Sequence, residues 1–184
     1  MRSSGVLTEI LPETEKWGID SIPALVLAEQ KFTWAIDPML RLAAIVPPVE
    51  DRLSAMAARL RLSNAERDWL VAFAQCPETS DSLSKVDLRR MLYSNGIDAV
   101  VARLKLAITS AVAKGEDDLK ALQRIAVLSG LLETAYGWTI PEFPVKGADL
   151  ISAGMEPGPQ IGEHLEKLKQ LWLASDFSAS KTEL

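Results

Sequence analysis

A segment rich in glycine and proline near the C-terminus has residue types and spacing suited to binding an anion. Residues 146–153 have the length of a short helix, and Gly154 stands where a glycine with positive φ would end it. Pro157-Gly158-Pro159 follows as a turn, and its second proline suits the first turn of another helix, because proline has no N–H to leave unpaired. The segment therefore predicts a helix, a tight turn and a longer helix over residues 160–174.

The start of that longer helix is the part that could hold a phosphate. We expect free backbone N–H groups on Gly158, Gln160, Ile161 and Gly162, at a helix end whose dipole favours negative charge. Lys146 adds a cation at the start of the shorter helix. The glycines would let another backbone, such as that of RNA, approach closely. The alternative is a corner between two helices whose glycines serve only close helix packing.

Basic residues are concentrated in the middle of a chain that is acidic overall. The formal net charge of the 184 residues is -5, but residues 52–105 carry nine Lys and Arg against six Asp and Glu. If RNA is bound, this region is where phosphates would be met. The candidate contacts lie at one predicted helix junction and on one predicted helix: Arg59, Arg61, Arg67, Lys85, Arg89 and Arg90, with Arg41 and Arg52 as secondary candidates. The alternative is an ordinary solvated face of mixed charge.

Helices are the only elements available to position these residues. Apolar residues recur at helical spacing, as in Ile97-Val100-Val101-Leu104-Ile108, and never alternate with polar residues over the length of a strand. Asp37-Pro38 and Ser63 with Glu66 are helix start signals, and Asn95-Gly96 is a stop signal. The sequence predicts an all-α fold of about eight or nine helices, with a helix-turn-helix at its C-terminus.

Few single residues suggest other chemistry. With one cysteine, Cys76, and one histidine, His164, a zinc site of the usual kind is not expected, and Cys76 reads as a packed small hydrophobe. His164 could meet a phosphate. Trp17, Trp34 and Trp138 could stack on bases, but packing helices together is the commoner role. No catalytic residue and no metal ligand is predicted. No apolar run is long enough to span a bilayer, so we expect a cytoplasmic protein.

Several segments resemble the helical C-terminal region of bacterial CCA-adding tRNA nucleotidyltransferases and related poly(A) polymerases. The most specific is Gly147-Ala148-Asp149-Leu150, followed by Gly154 and Pro157-Gly158-Pro159-Gln160-Ile161-Gly162. The segments that support it are residues 5–7, 11–12, 38–44, 59–67 and 171–177. The resemblance implies that residues 1–36 are the end of a neck, residues 37–136 a helical body and residues 137–184 a helix-turn-helix tail.

The resemblance also implies an activity, the addition of C, C and A to the 3′ end of tRNA from CTP and ATP with magnesium. That chemistry belongs to an N-terminal head, in which an Asp-x-Asp pair holds metal. The 184 residues contain no Asp-x-Asp, and Glu116-Asp117-Asp118 is not preceded by a strand. We therefore expect this chain to lack the head, to be inactive alone and to bind no cofactor of its own.

The expected partners are the acceptor and TΨC arms of tRNA, the missing catalytic head, and a second copy of the chain through residues 6–46. No membrane partner is expected. A helical module for protein–protein interaction or dimerisation is the alternative from another class. The corresponding part of a poly(A) polymerase is the alternative within the family.

Overall fold

A computed structural model describes residues 5–14 and 20–184, and in these residues helices are the only regular secondary structure. The predicted all-α fold is thus confirmed, with ten α-helices in the described part where eight or nine were expected. In chain order they are α1 Val6–Ile10, α2 Ser21–Lys31, α3 Pro38–Ile45, α4 Glu50–Arg59, α5 Asn64–Gln75, α6 Lys85–Asn95, α7 Ile97–Val112, α8 Leu119–Gly137, α9 Gly147–Ser152 and α10 Gln160–Ala174. A 3-10 turn, Pro12–Thr14, follows α1.

The helices begin and end at the predicted signals. Asp37 Oδ1 accepts hydrogen bonds from the N–H groups of Met39 and Leu40, at 2.9 and 3.2 Å, in the first turn of α3. Ser63 and Glu66 form the reciprocal capping box at the start of α5. Gly96, with φ of 81°, ends α6 in a conformation that a side chain would strain.

The chain divides into two compact units, Met1–Gly137 and Trp138–Leu184. In the first, α7 lies at the centre and packs against α2, α3, α5, α6 and α8, while α4 packs against α5. This central position explains the apolar residues that recur along α7, because Val100, Leu104 and Ile108 are fully buried. The division of this unit into neck and body stays a prediction.

In the second unit, α9 packs against α10 beside a cluster of aromatic rings. Trp172 is 2% exposed, and its ring lies 5.4 Å from that of Phe143 and 5.0 Å from that of Phe177. The Trp138 ring also lies near that of Phe177, at 5.2 Å. These contacts fix the C-terminal end of α10 and leave its N-terminal turn at the surface.

None of the helices in the described ranges has both the length and the apolar character needed to cross a bilayer.

Candidate nucleic-acid interface

The glycine turn between α9 and α10 has the predicted geometry at the end of α9. Gly154 has φ of +99°, as expected for the residue that ends α9. Its N–H donates to the carbonyl of Ile151, and the N–H of Met155 donates to the carbonyl of Leu150, both at 3.0 Å. This pair of bonds is the Schellman motif, which satisfies the last carbonyls of the helix.

At the start of α10 the prediction of four free N–H groups is wrong for two of them. Ile161 N–H donates to the carbonyl of Gly158, and Gly162 N–H donates to the carbonyl of Pro159, both at 3.1 Å. The first turn of α10 is tightened into 3-10 geometry, which uses donors that an ideal α-helix leaves open. The N–H groups of Gly158 and Gln160 have no hydrogen-bond partner among the described residues.

The glycines of this turn differ in what surrounds them. A Cβ at Gly147 would lie 3.3 Å from Ile161 Cγ2, so Gly147 is the glycine that allows α9 and α10 to pack closely. A Cβ at Gly158 or Gly162 would meet no atom within 4 Å, and neither residue has positive φ. Close helix packing therefore does not explain Gly158 or Gly162, whose backbone faces open space.

Asp149 holds the start of α9 in place. Its Oδ2 accepts the N–H of Lys146 at 2.8 Å, and its Oδ1 lies 2.6 Å from Lys181 Nζ. The Lys181 ammonium and the Lys146 N–H keep the pKa of Asp149 below its ordinary value. The Lys146 side chain is exposed beside this bond.

The three arginines near the junction of α4 and α5 differ in their partners. Arg59 binds both carboxylate oxygens of Glu13 at 2.8 Å, which ties α4 to the segment after α1. Arg67 pairs with the neighbouring Asp68 at 2.8 Å. Arg61 is exposed and makes no ion pair with any described residue. Of the three cations, Arg61 is therefore the one left to meet a phosphate without losing an internal partner.

Arg61 also has a strained backbone. Its φ is +54°, and its N–H donates to the carbonyl of Ala58 while Leu62 N–H donates to that of Ala57. This is again a Schellman motif, with arginine in the left-handed position that glycine occupies without strain. A non-glycine residue there costs on the order of 1 kcal/mol or more, and such residues cluster at functional sites.

On α6 the three basic candidates lie within two turns. Lys85 is exposed and has no ion-pair partner in the described residues. Arg90 lies 3.3 Å from Asp87, and Arg89 is half-buried. The candidates thus fall into groups at the junction of α4 and α5, on α6 and at the turn of the second unit.

Sequence reasoning did not anticipate the role of Arg41. Its Nε and one terminal nitrogen bind the two carboxylate oxygens of Glu29, at 3.1 and 2.6 Å, and Glu29 is only 5% exposed. Arg41 is therefore part of the packing between α2 and α3. Arg52 is exposed in the first turn of α4.

The aromatic candidates pack within the chain. Trp34 stacks on Phe32 at 5.3 Å, with Lys105 Nζ 5.2 Å above the Trp34 ring. Trp138 packs on Phe177, and Trp17 lies outside the described residues. His164 is exposed, and its Nδ1 lies 2.9 Å from the Gln160 carbonyl. Because a carbonyl only accepts, Nδ1 carries the proton of this bond.

Cys76 is 1% exposed, and burial raises the pKa of its thiol to about 11. A thiol with this pKa is a poor nucleophile at neutral pH. Over residues 5–14 and 20–184, no three His, Cys, Asp or Glu side chains lie close enough together to hold a metal ion.

Comparison with known proteins gives partial matches. No known family profile matches the chain. It is 43% identical over 54 residues to the mitochondrial CCA tRNA nucleotidyltransferase 1 of Danio rerio and 38% identical over 55 residues to that of Mus musculus. These matches cover 29% and 30% of this chain, but only 12% and 13% of those proteins.

A longer match, 40% identical over 76 residues, is to an uncharacterized 28 kDa protein in the petA 5′ region of Rhodospirillum rubrum, and covers 29% of that protein. The chain thus spans well under two thirds of the relatives it matches. The matches to the mitochondrial proteins support a relation to CCA tRNA nucleotidyltransferases.

Proposed function

We propose that this chain is the tRNA-binding helical portion of a CCA-adding tRNA nucleotidyltransferase, with nucleotide transfer performed by a separate catalytic head. The observation that carries the proposal is the 38–43% identity to named CCA tRNA nucleotidyltransferases over about 54 residues. Magnesium, CTP and ATP would be bound by that head. The helical portion would bind the acceptor and TΨC arms of tRNA.

The geometry of the candidate residues supports this role. Gly158 and Gly162 present uncrowded backbone, and Lys146 is exposed in the same unit. Arg61 and Lys85 are cations without internal ion pairs in the described chain. These groups suit the phosphates and 2′-hydroxyls of A-form RNA, whose base edges are hard to reach. With a net charge of -5, the chain should bind tRNA weakly.

The proposal is tested by titrating the protein into labelled tRNA at several salt concentrations and following fluorescence anisotropy. We expect saturable binding that weakens as salt rises, as phosphate contacts require. Affinity no greater than that of a control protein of equal net charge would contradict RNA binding. Incorporation of CTP and ATP into a tRNA without its CCA end, by this chain alone, would contradict a separate head.

Two glycine substitutions separate binding at the turn from stability. Gly162→Ala and Gly130→Ala each add a methyl group to a helix where it meets nothing, so each should stabilise the fold by roughly 0.5–1 kcal/mol. If RNA approaches the turn, Gly162→Ala should also weaken tRNA binding about 5-fold, whereas Gly130→Ala in α8 should leave it unchanged. Anisotropy and urea unfolding measure the two effects. Equal tRNA affinity in both variants would show that the turn does not contact tRNA.

A second candidate function, dimerisation through residues 6–46, is favoured by apolar exposure in that range. Val6, Ile10, Leu27 and Ile36 are 42%, 48%, 51% and 68% exposed. Isolated exposed apolar residues are ordinary, but four in one segment are consistent with a surface that a second copy covers.

We expect Ile36→Lys to weaken self-association at least several-fold, because it places a charge in that surface, without altering the fold. Sedimentation equilibrium measures the change. Leu119→Lys is the matched control, since Leu119 is 74% exposed on α8, outside the segment. A wild-type protein that is monomeric at high concentration would contradict the dimer.

A further inference from the structure

The first unit contains a cavity to which none of the features above assigns a role. It has a volume of about 510 Å³, within the range of roughly 300–1,000 Å³ that is typical of small-molecule sites. Residues of α2, α3, α5, α7, α8 and the loop after α5 line it. Its polar lining includes two arginines, Arg103 of α7 and Arg124 of α8, and the hydroxyl residues Thr79 and Ser110.

Arg103 is fixed in the wall of the cavity without a carboxylate partner. Its guanidinium carbon lies 4.3 Å from the centre of the Phe73 ring. Its Nε and one terminal nitrogen donate to the carbonyls of Phe73 and Ala74, at 3.2 and 3.4 Å. Burial lowers the pKa of this guanidinium, although the nearby Glu78 carboxylate acts in the opposite direction.

Arg124 and Thr79 line the same cavity, and each has one buried side-chain polar atom without a hydrogen-bond partner. Arg124 Nε and Thr79 Oγ1 are the two buried side-chain polar atoms without a partner in the described part of the chain, and Thr79 is 6% exposed. A buried donor without a partner is costly, and native proteins rarely leave one unpaired. Both such groups belong to residues that line one cavity, so a polar group bound in the cavity could pair with them.

The charged groups that line the cavity are two arginines and two carboxylates. Its acidic residues, Glu78 and Asp20, are exposed, and Glu78 is near enough to Arg103 to raise the pKa of the guanidinium. The donors come from three different elements: α7, α8 and the loop after α5. Guanidinium and hydroxyl donors on several elements around one cavity suit a tetrahedral oxyanion, and Phe73, Leu106 and Ala107 provide an apolar wall for an organic body.

We propose that this cavity binds the phosphate group of a nucleotide-sized ligand, with Arg103 and Arg124 supplying positive charge and Thr79 a hydroxyl. The phosphate belongs either to a free nucleotide or to a nucleotide of an RNA chain, since the recognising chemistry is the same. The inference does not depend on the proposed function, because it rests on a cavity in the first unit and not on the glycine turn.

The test follows the Nε–Hε resonance of Arg124 by ¹⁵N NMR while inorganic phosphate or AMP is added at constant ionic strength. We expect a saturable shift with both probes, at about 10-fold lower concentration for AMP. Arg124→Gln should weaken AMP binding at least 10-fold, measured by calorimetry, and Thr79→Val several-fold. Lys120→Gln, which removes an exposed charge from the same helix, should have no effect.

Thr79→Val keeps the test decisive if Arg124→Gln fails to fold, because replacing an unpaired buried hydroxyl by a methyl group should not lower the unfolding temperature. The absence of a saturable shift, or equal AMP affinity in wild type and Thr79→Val, would overturn the proposal. If tRNA displaces AMP and Arg124→Gln also weakens tRNA binding, the phosphate is that of RNA. If tRNA does not displace AMP, the ligand is a free nucleotide. If the protein binds AMP but not tRNA, the result contradicts the proposed function and leaves the phosphate site in this cavity standing.

Discussion

Replacing Arg41 by alanine is expected to lower the urea concentration at the midpoint of unfolding well beyond the effect of removing an exposed arginine, because breaking one side of a buried ion pair is strongly destabilising. The reason is Glu29, whose carboxylate is 5% exposed and is bound at both oxygens by Arg41. Removing the guanidinium leaves a buried negative charge without a partner. Urea unfolding followed by circular dichroism measures the change.

The matched control for Arg41→Ala is Arg52→Ala, which removes an exposed arginine of α4 and should change stability by less than about 0.5 kcal/mol. The double variant Glu29→Leu/Arg41→Leu should recover most of the loss, because an apolar pair needs no counter-charge. If Arg41→Ala is as stable as Arg52→Ala, the pair does not hold α2 against α3, and Arg41 becomes available again as an RNA contact.

Arg61→Gly is expected to move stability and tRNA affinity in opposite directions. Glycine relieves the left-handed backbone at φ of +54°, so the free energy of unfolding should rise by about 1 kcal/mol. The same change removes an exposed cation without an internal ion pair in the described chain, so tRNA affinity should fall about 5- to 10-fold. The slope of log affinity against log salt concentration should also become shallower by about 1, as expected for the loss of one phosphate contact.

Thr33→Gly is the matched control for this result. Thr33 has φ of +53° after α2 and is exposed, so glycine should stabilise the fold there as well, while removing no charge. If both variants weaken tRNA binding equally, the effect comes from the backbone and not from the Arg61 guanidinium. If Arg61→Gly alone weakens binding, a contact of the Arg61 side chain is the simplest cause.

The helix boundaries could be predicted from the sequence because their signals are local. Asp37, Ser63 and Gly154 each act on atoms within five residues, and all three behave as expected. Ion pairing is not local in this way. Arg59 meets Glu13 across 46 residues and Arg41 meets Glu29 across 12, and no spacing rule distinguishes these arginines from the exposed Arg61.

The candidate site was predictable in its residue types and less so in its geometry. Gly147, Gly158 and Gly162 belong to one motif, yet only Gly147 is crowded by a neighbouring helix. The 3-10 turn that occupies two N–H groups depends on small backbone rotations that glycine and proline both permit. The cavity could not be predicted, because Thr79, Arg103 and Arg124 come together only through the packing of α7 and α8.

The bond network of Asp149 makes the second unit sensitive to proton concentration. Because Lys181 and the Lys146 N–H lower the pKa of this carboxylate, folding favours its ionised form. The resulting stabilisation is present above the ordinary value of 3.8 and is lost as pH falls through the lower value in the folded protein. Mild acidification should therefore leave the glycine turn intact, whereas stronger acid should release residue 181 from the start of α9.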